Sequence, residues 1–487
     1  MSLTNDSDKL FQTDEQHRKT AIRAAKAEAL AERGAPIKLG SKPLQVVVRE
    51  NGKGEPDAWV AESGFVVRRV GLESGKTKQL FKGHTGPVTS IVFYTTPSGR
   101  ELLISGSWDK SIRVWDIETK THLSTTLAHI DFVKTLHVIP ELALLVSGSS
   151  DKDLRLWDLF SLDALAASSL SSSAPLPSTA DSPVPREGAA PPPATALHPL
   201  PCAVALKAHT RPIECLASYA LLEPLGPGQA EDDVDVRDRK RTGRWALVSA
   251  DSMGAVKVWE VWREGGAGGA VKSELRGESR QHEAGIWDVQ LGPEGELWTV
   301  SADNSLLLSS LSLSDPCAAP TPLLRIPHPA QVRSFLPLPL SPLLSVLPAA
   351  PPYLLTGASD ELLRVLDLSC AALDPNPKRE AARGWNGLPL TEGSRVEGQV
   401  NAVEAHTHEV VQLCAYVLPS GEGGRKEAWV LSASLDATLR RWRVEELRSK
   451  EWDRVVVVPV EEEEDGTKES LLTAEEEAEL EALMADD

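Results

Sequence analysis

The sequence predicts an all-β fold in which seven four-stranded sheets, or blades, stand around a central axis as a β-propeller. Three observations predict this fold. A strand–turn–strand unit recurs six times, a histidine precedes each unit, and a more divergent seventh unit lies upstream of them. Because a lone four-stranded sheet cannot bury both of its faces, repeated blades are expected to stack around an axis.

Each unit is an apolar strand, a turn of small residues that usually ends in Asp, and a second strand that Trp usually closes. Apolar runs such as 102–104 and 144–146 predict buried central strands, and Gly, Ser and Asp suit the tight turns between strands. The six units are 102–116, 144–158, 246–260, 297–311, 353–367 and 429–443.

A histidine lies ahead of each unit and is followed four residues later by Val or Ile. The six pairs are His84/Val88, His129/Val133, His209/Ile213, His282/Ile286, His328/Val332 and His406/Val410. Because these histidines keep one register with the turns that follow them, we expect a structural role for them rather than a catalytic or metal-binding one.

A seventh blade is expected upstream of the six units. Residues 59–84 align with residues 104–129 without gaps, and residues 44–49 supply a candidate first strand. The ring can then close in two ways. Residues 455–460 could form the outer strand of the last blade, or the N-terminal strand could supply it.

These units resemble WD40 repeats, whose signature is a Gly-His pair followed by Trp-Asp at the end of a strand. The resemblance covers about residues 44–460 and is strongest at Gly83-His84 and Trp115-Asp116. It implies that the His, the turn Asp, a strand Ser or Thr and the Trp of a blade form one hydrogen-bonded network. The implied sets are His84–Asp109–Trp115, His129–Asp151–Trp157, His209–Asp251–Trp259 and His406–Asp436–Trp442.

Two blades keep the His and the Asp but not the Trp. They are the blades of His282/Asp303, where Leu308 or a neighbour replaces the Trp, and of His328/Asp360, where Leu366 does. We expect the network of these two blades to be incomplete.

The sequence divides into an N-terminal extension (1–42), the propeller (43–460) and an acidic tail (461–487). Residues 13–33 are rich in Ala, Glu, Lys and Arg and predict a helix, and residues 473–485 predict a short acidic helix. The tail carries a net charge of −12 of the total of −19. Each of these two segments is either a solvated tail or a helix that docks on a partner.

Five inserts separate the strands, and they are expected near 161–200, 226–244, 264–280, 337–352 and 371–398. The first is rich in Ser, Ala and Pro and predicts a flexible loop. Because His and turn Asp must meet, the loop before strand one and the turn between strands two and three share a face, here called the trim face. The inserts are expected on the opposite face. Either loops lengthen where they are tolerated, or the trim face is kept open for a ligand.

No motif in the sequence predicts catalysis, a cofactor or a metal. There is no P-loop, no G-x-G-x-x-G and no G-x-S-x-G, and the five cysteines are isolated. No run of about 18 apolar residues suggests a membrane span, and the negative body disfavours direct nucleic-acid binding. We therefore expect a protein that is not an enzyme, without small-molecule substrate or cofactor, in the cytoplasm or the nucleus.

Protein partners are the remaining prediction. The candidate contact residues on the trim face are Trp108, Ile130, Asp131, Phe132, Arg211 and His408. Trp108 lies in a turn where an exposed indole is typical of an interface anchor, unless it packs on a neighbouring blade. We expect a scaffold or adaptor in a multiprotein complex; the alternative is a histone- or nucleic-acid-associated reader. A negative trim face would favour the reader, and a mixed face would favour the scaffold.

Overall fold

Seven four-stranded antiparallel sheets make up the ring in the computed structural model. The structure describes residues 14–51, 54–171, 197–207, 209–224, 238–266, 268–315, 317–340, 352–370, 396, 398–419 and 426–449. The innermost strand of every blade contacts the innermost strands of the blades on both sides, which makes the ring continuous. The predicted seven-bladed β-propeller is confirmed.

Blades are numbered along the chain, and the strands of a blade run from the inside of the ring to the outside. Blades 1 to 3 contain β2 (Pro43–Glu50), β3 (Pro56–Glu62), β4 (Val66–Gly71), β5 (Thr77–Lys82), β6 (Val88–Thr95), β7 (Glu101–Ser107), β8 (Ser111–Asp116), β9 (His122–Leu127), β10 (Val133–Ile139), β11 (Leu144–Ser149), β12 (Asp153–Asp158) and β13 (Cys202–Lys207).

Blades 4 to 6 contain β14 (Ile213–Leu222), β15 (Arg241–Asp251), β16 (Ala255–Arg263), β17 (Val271–Arg280), β18 (Ile286–Leu291), β19 (Glu296–Ser301), β20 (Ser305–Ser310), β21 (Thr321–Pro327), β22 (Val332–Pro337), β23 (Tyr353–Ala358), β24 (Leu362–Asp367) and β25 (Gln399–Glu404). Blade 7 contains β26 (Val410–Pro419), β27 (Lys426–Ser434), β28 (Thr438–Arg443) and β1 (Ile37–Lys38).

The core lies between the blades. The second strand of a blade is covered on both faces by its neighbours, and every residue of β3 and of β11 is buried. Apolar clusters therefore join consecutive blades, as where Trp59 of blade 1 packs in one cluster with Ile91 and Leu103 of blade 2. This explains why the second strands form continuous apolar runs in the sequence.

The N-terminal strand closes the ring. Strand β1 pairs antiparallel with β28, Ile37 opposite Leu439, and the backbone N–H of Arg441 donates to the carbonyl of Gly34 at 2.7 Å. Of the two closures considered, the N-terminal one is observed, and residues 455–460 lie outside the described residues. The predicted boundary at residue 43 is therefore wrong, because blade 7 takes its outer strand from Ile37–Lys38.

The inserts differ in part from expectation. Residues 264–280 are not an insert along their whole length, because Val271–Arg280 form β17, the outer strand of blade 4. Residues 161–171 are not a flexible loop but helix α2 (Ser161–Ser171), whose Leu162 and Ala166 are buried. Their spacing of four residues gives α2 one apolar side. Residues 172–196 and most of the inserts near 226–244, 337–352 and 371–398 lie outside the described residues.

Two further helices are described. Helix α1 (Asp14–Ala29) lies in the predicted segment 13–33 and belongs to a unit of the chain separate from the ring. Helix α3 (Val444–Ser449) follows β28. The predicted helix at 473–485 and the acidic tail lie outside the described residues. Among the helices that the structure describes, none has the length and apolar character to cross a membrane.

Candidate functional site

Seven equivalent backbone hydrogen bonds build the trim face. In each blade the turn between strands two and three donates an N–H to a carbonyl of the loop before strand one. The donor–acceptor pairs are Ser63–Lys42, Trp108–Pro87, Ser150–Phe132, Ser252–Pro212, Ala302–Gly285, Ser359–Gln331 and Leu435–Glu409. Loop and turn are thus held together in every blade, and the seven loop–turn pairs make up the rim of this face.

Blade 2 shows the network behind this rim. His84 Nδ1 lies 2.8 Å from Asp109, and its Nε2 lies 2.8 Å from Ser105 Oγ. Trp115 Nε1 donates to the same hydroxyl at 3.2 Å. An ionised Asp only accepts, so His84 carries its proton on Nδ1, and Ser105 donates to Nε2 while accepting from the indole.

Blades 3, 4 and 7 repeat this arrangement. Their His–Asp pairs are His129–Asp151 at 2.9 Å, His209–Asp251 at 3.1 Å and His406–Asp436 at 2.9 Å. The other His nitrogen reaches Ser147, Ser249 or Ser432, and the same serine accepts from Trp157, Trp259 or Trp442. The structure thus brings together each of the sets that the sequence implied.

Blade 5 holds a shortened network. His282 lies 3.0 Å from Asp303 and 2.8 Å from Thr299. In the ladder with β19, Ser309 rather than Leu308 occupies the place of the Trp, and it donates to Gln281. The His–Asp pair is kept without an indole.

Blade 6 departs from the pattern. Asp360 accepts from both terminal nitrogens of Arg364, at 3.1 and 2.5 Å, instead of from His328. Arg364 is 1% exposed. His328 reaches only Thr356, at 3.0 Å, and its Nδ1 has no partner among the described residues. The expectation that His328 and Asp360 stay matched is wrong, because a buried guanidinium takes both carboxylate oxygens.

The Ser–His–Asp order of these networks resembles a nucleophilic triad. The serines Ser105, Ser147, Ser249 and Ser432 are fully buried, however, and each hydroxyl already accepts an indole N–H. No substrate carbonyl can approach such a hydroxyl. The arrangement therefore stabilises the blade and has no access for chemistry.

The electrostatics fit a structural role. Burial alone would raise the pKa of Asp151, but His129 and two backbone N–H groups lower it to about 2. The pKa of Asp109 is also held below its usual range, against burial, by His84, Ser111 and the Thr85 N–H. Burial lowers the pKa of His84 despite Asp109. A neutral His beside an ionised Asp is the resulting state near neutral pH.

An exposed aromatic pair lies on the trim face between blades 2 and 3. The rings of Trp108 and Phe132 stack with centroids 5.0 Å apart. Trp108 is 41%, Phe132 38% and Ile130 77% exposed. Trp108 thus contacts the loop of the neighbouring blade and still presents its indole to solvent. We call these three residues the aromatic sector.

Of the other candidates, Asp131 lies in the same loop as Ile130 and Phe132, and Arg211 and His408 lie in loops of other blades. The carboxylate of Asp131 accepts the N–H of Phe132 at 2.8 Å. Arg211 is exposed in the loop before blade 4, and His408 lies before blade 7, within 3.3 Å of Thr407. Exposed Phe65 and Met253, in the turns of blades 1 and 4, were not predicted.

A central channel of about 690 Å³ opens between the innermost strands, and its lining residues come from all seven blades. Two ion pairs join neighbouring blades along it, Lys134–Glu214 at 3.2 Å and Arg333–Glu409 at 2.9 Å. Trp108 also lines this channel. The aromatic sector therefore borders the channel.

Asp288 in the channel wall carries a pH-dependent cost. Burial raises its pKa from 3.8 to about 7, despite hydrogen bonds from Gln290 and the Val289 N–H. The native state binds more protons than the unfolded state between these values, so this group makes stability fall as pH rises through that range. The Asn side chain does not titrate. From pH 5 to pH 8 we therefore expect the free energy of unfolding of Asp288→Asn to rise by on the order of 2 kcal/mol relative to that of the unsubstituted protein.

Urea unfolding at both pH values measures this gain, with Glu294→Gln, an exposed acid of the same blade, as the control. A stability difference between Asp288→Asn and the unsubstituted protein that does not change with pH would contradict the assignment.

Comparison with known proteins agrees with this geometry. The family model described as WD domain, G-beta repeat matches residues 75–116 and 120–158. An uncharacterized WD repeat-containing protein of Schizosaccharomyces pombe is 30% identical over 113 residues, 22% of this chain and 31% of that protein. An F-box/WD-40 repeat-containing protein of Arabidopsis thaliana is 36% identical over 102 residues, which are 20% of this chain and 18% of that protein.

The periodic tryptophan protein 2 homolog of Schizosaccharomyces pombe is 36% identical over 61 residues, 12% of this chain and 7% of that protein. The matched stretches thus span less than a third of each of these relatives. They concern the repeats and not the whole of any relative.

Proposed function

Since the chain is a WD40-repeat β-propeller, we propose that it is a non-catalytic scaffold or adaptor that binds another protein on its trim face. Propellers of this family generally bind proteins. The observation that carries the proposal is the aromatic sector. Trp108 and Phe132 are stacked and half-exposed, and Trp108 lines the channel. Large aromatic side chains in such positions contribute most to protein interfaces.

The distribution of exposed apolar side chains supports the choice of face. Among the described residues, nine large apolar side chains are exposed. Four of them belong to outermost strands: Leu80, Leu127, Leu275 and Val400. The other five lie in the trim-face loops and turns of blades 1 to 4: Phe65, Trp108, Ile130, Phe132 and Met253. Apolar surface gathered on one side of a ring is typical of a binding surface.

Charge favours the scaffold over the histone or nucleic-acid reader. Lys110, Lys152 and Arg211 are exposed in the trim-face loops of blades 2 to 4, while exposed Glu283 lies before blade 5. A mixed face of this kind lacks the uniformly negative field that a basic tail would need. The exposed thiols of Cys202 and Cys317 fit the reducing cytoplasm or nucleus as the proposed compartment.

The substitution Trp108→Ala should remove trim-face partners. Loss of a half-exposed indole at the centre of an interface costs about 2 kcal/mol or more of binding free energy, so partner recovery should fall by more than about tenfold. Affinity purification of the tagged full chain with quantitative mass spectrometry measures the recovery.

Leu275→Ala is the matched control, because Leu275 is 43% exposed but lies in the middle of the outer strand of blade 4. A photo-crosslinker at position 130 should label the same partners, and one at position 275 should not. If the bound set is unchanged by Trp108→Ala and position 130 yields no crosslink, the proposed face is wrong.

A further inference from the structure

We infer that the aromatic sector receives an acidic segment of the partner, one in which an aliphatic or aromatic side chain is flanked by Asp or Glu. The inference deepens the proposed function and rests on it. It follows from the exposed charges around Trp108, Ile130 and Phe132, which are mostly positive although the chain as a whole has a net charge of −19.

Cations frame the sector without ion-pair partners. Lys110 ends the turn that carries Trp108, and Lys152 ends the corresponding turn of blade 3. Arg211 lies in the next loop. All three side chains are exposed, and none makes an ion pair within the part of the chain that the structure describes. Backbone hydrogen bonds hold both lysines beside the loop that leads to the next blade. The Lys110 carbonyl accepts the N–H of Ala128, and the Lys152 carbonyl accepts that of His209.

The carboxylates of the same loops are already used. Asp109 and Asp151 are 5% and 1% exposed and pair with His84 and His129. Asp131 accepts the backbone N–H of Phe132. Asp109 and Asp151 thus face inward, which leaves Asp131 as one partly exposed acid beside three exposed cations. The surface around the sector is therefore locally positive, and it complements a negative ligand.

The sector is held in place before any ligand arrives. The Phe132 carbonyl accepts the N–H of Ser150, and the Ile130 N–H donates to Asp151 at 3.2 Å. The backbone N–H of Trp108 donates to the Pro87 carbonyl, and the indole stacks on the ring of Phe132. Little side-chain or loop entropy is lost when a short segment binds to such a surface. We therefore expect a short peptide to bind to this surface without the rest of the partner.

Selection from a random library of short peptides displayed on phage, panned on the full chain, tests the inference. Enriched peptides should carry Asp or Glu beside Leu, Ile or Phe. Labelled synthetic copies, followed by fluorescence anisotropy, should bind the double variant Lys110→Glu/Lys152→Glu about tenfold or more weakly. Arg211→Glu is a second variant with the same expected direction, and added salt should weaken binding to the unsubstituted chain.

Lys120→Glu is the matched control, because Lys120 is exposed in the turn between strands three and four, on the opposite face; it should leave the affinity unchanged. Peptides with Lys or Arg flanks, no enrichment, or indifference to the charge reversals would overturn the inference. If binding is lost in Trp108→Ala but kept in the charge variants, the proposed function stands and the inference fails. If Trp108→Ala also has no effect, the proposed function fails with it.

Discussion

Asp360→Ala should lower the free energy of unfolding by about 3–5 kcal/mol, the cost of leaving a buried charge without its partner. Arg364 is 1% exposed, and its terminal nitrogens donate to both oxygens of Asp360. The neighbouring His328 is a neutral base, with its pKa lowered to about 3 by burial and by Arg364, and it offers no negative charge in exchange.

Urea unfolding measures this loss. The double variant Asp360→Ala/Arg364→Leu should recover most of it, because no charge is then buried. Glu427→Ala is the matched control, since it breaks an Arg–carboxylate pair with Arg443 whose two side chains are 37% and 51% exposed. It should cost less than about 1 kcal/mol. Equal losses for Asp360→Ala and Glu427→Ala would show that burial of Arg364 does not matter.

Opening the ring is the second large effect. Ile37 is 6% exposed and packs with Val70 and Leu439, in the cluster that joins blades 7 and 1. In Ile37→Asp an apolar side chain is lost and a carboxylate is placed among apolar groups. We expect a loss of about 3–5 kcal/mol and detachment of β1 from β28.

Hydrogen exchange separates local from global damage. Amides of β28 should exchange faster in Ile37→Asp, and those of β12 in blade 3, across the ring, should change less. Ile37→Val is the control, with an expected loss of about 0.5–1.5 kcal/mol. If Ile37→Asp and Ile37→Val are equally stable, β1 does not hold the ring closed.

Repetition made most of this fold predictable from sequence. Turn, strand and His recur in one register, and all seven blades occur where the repeats indicate them. The position of the network serine could also have been predicted from its spacing to the Trp. In blades 2, 3, 4 and 7 it lies ten residues before the Trp it bonds, as with Ser105 and Trp115.

Other features carry no periodic signal. Strand β1 has two residues, too few for any alternation, and it pairs with a strand 400 positions later. Strand β17 is polar and half-exposed along its length. Its position as the outer strand of blade 4 therefore depends on its backbone hydrogen bonds with β16 and not on an apolar pattern. The exchange of partners in blade 6 depends on Arg364, an ordinary residue in sequence that becomes decisive once buried.

Closure by β1 also has a consequence during protein synthesis. The ribosome makes Lys38 first and its pairing residue Thr438 400 residues later. At roughly 5–20 residues per second, that interval lasts about 20–80 s. Blades 1 to 6 can form in order as they emerge, but Ile37 waits without its cover until the last blade is complete. The nascent chain therefore carries an unsealed apolar edge throughout that interval.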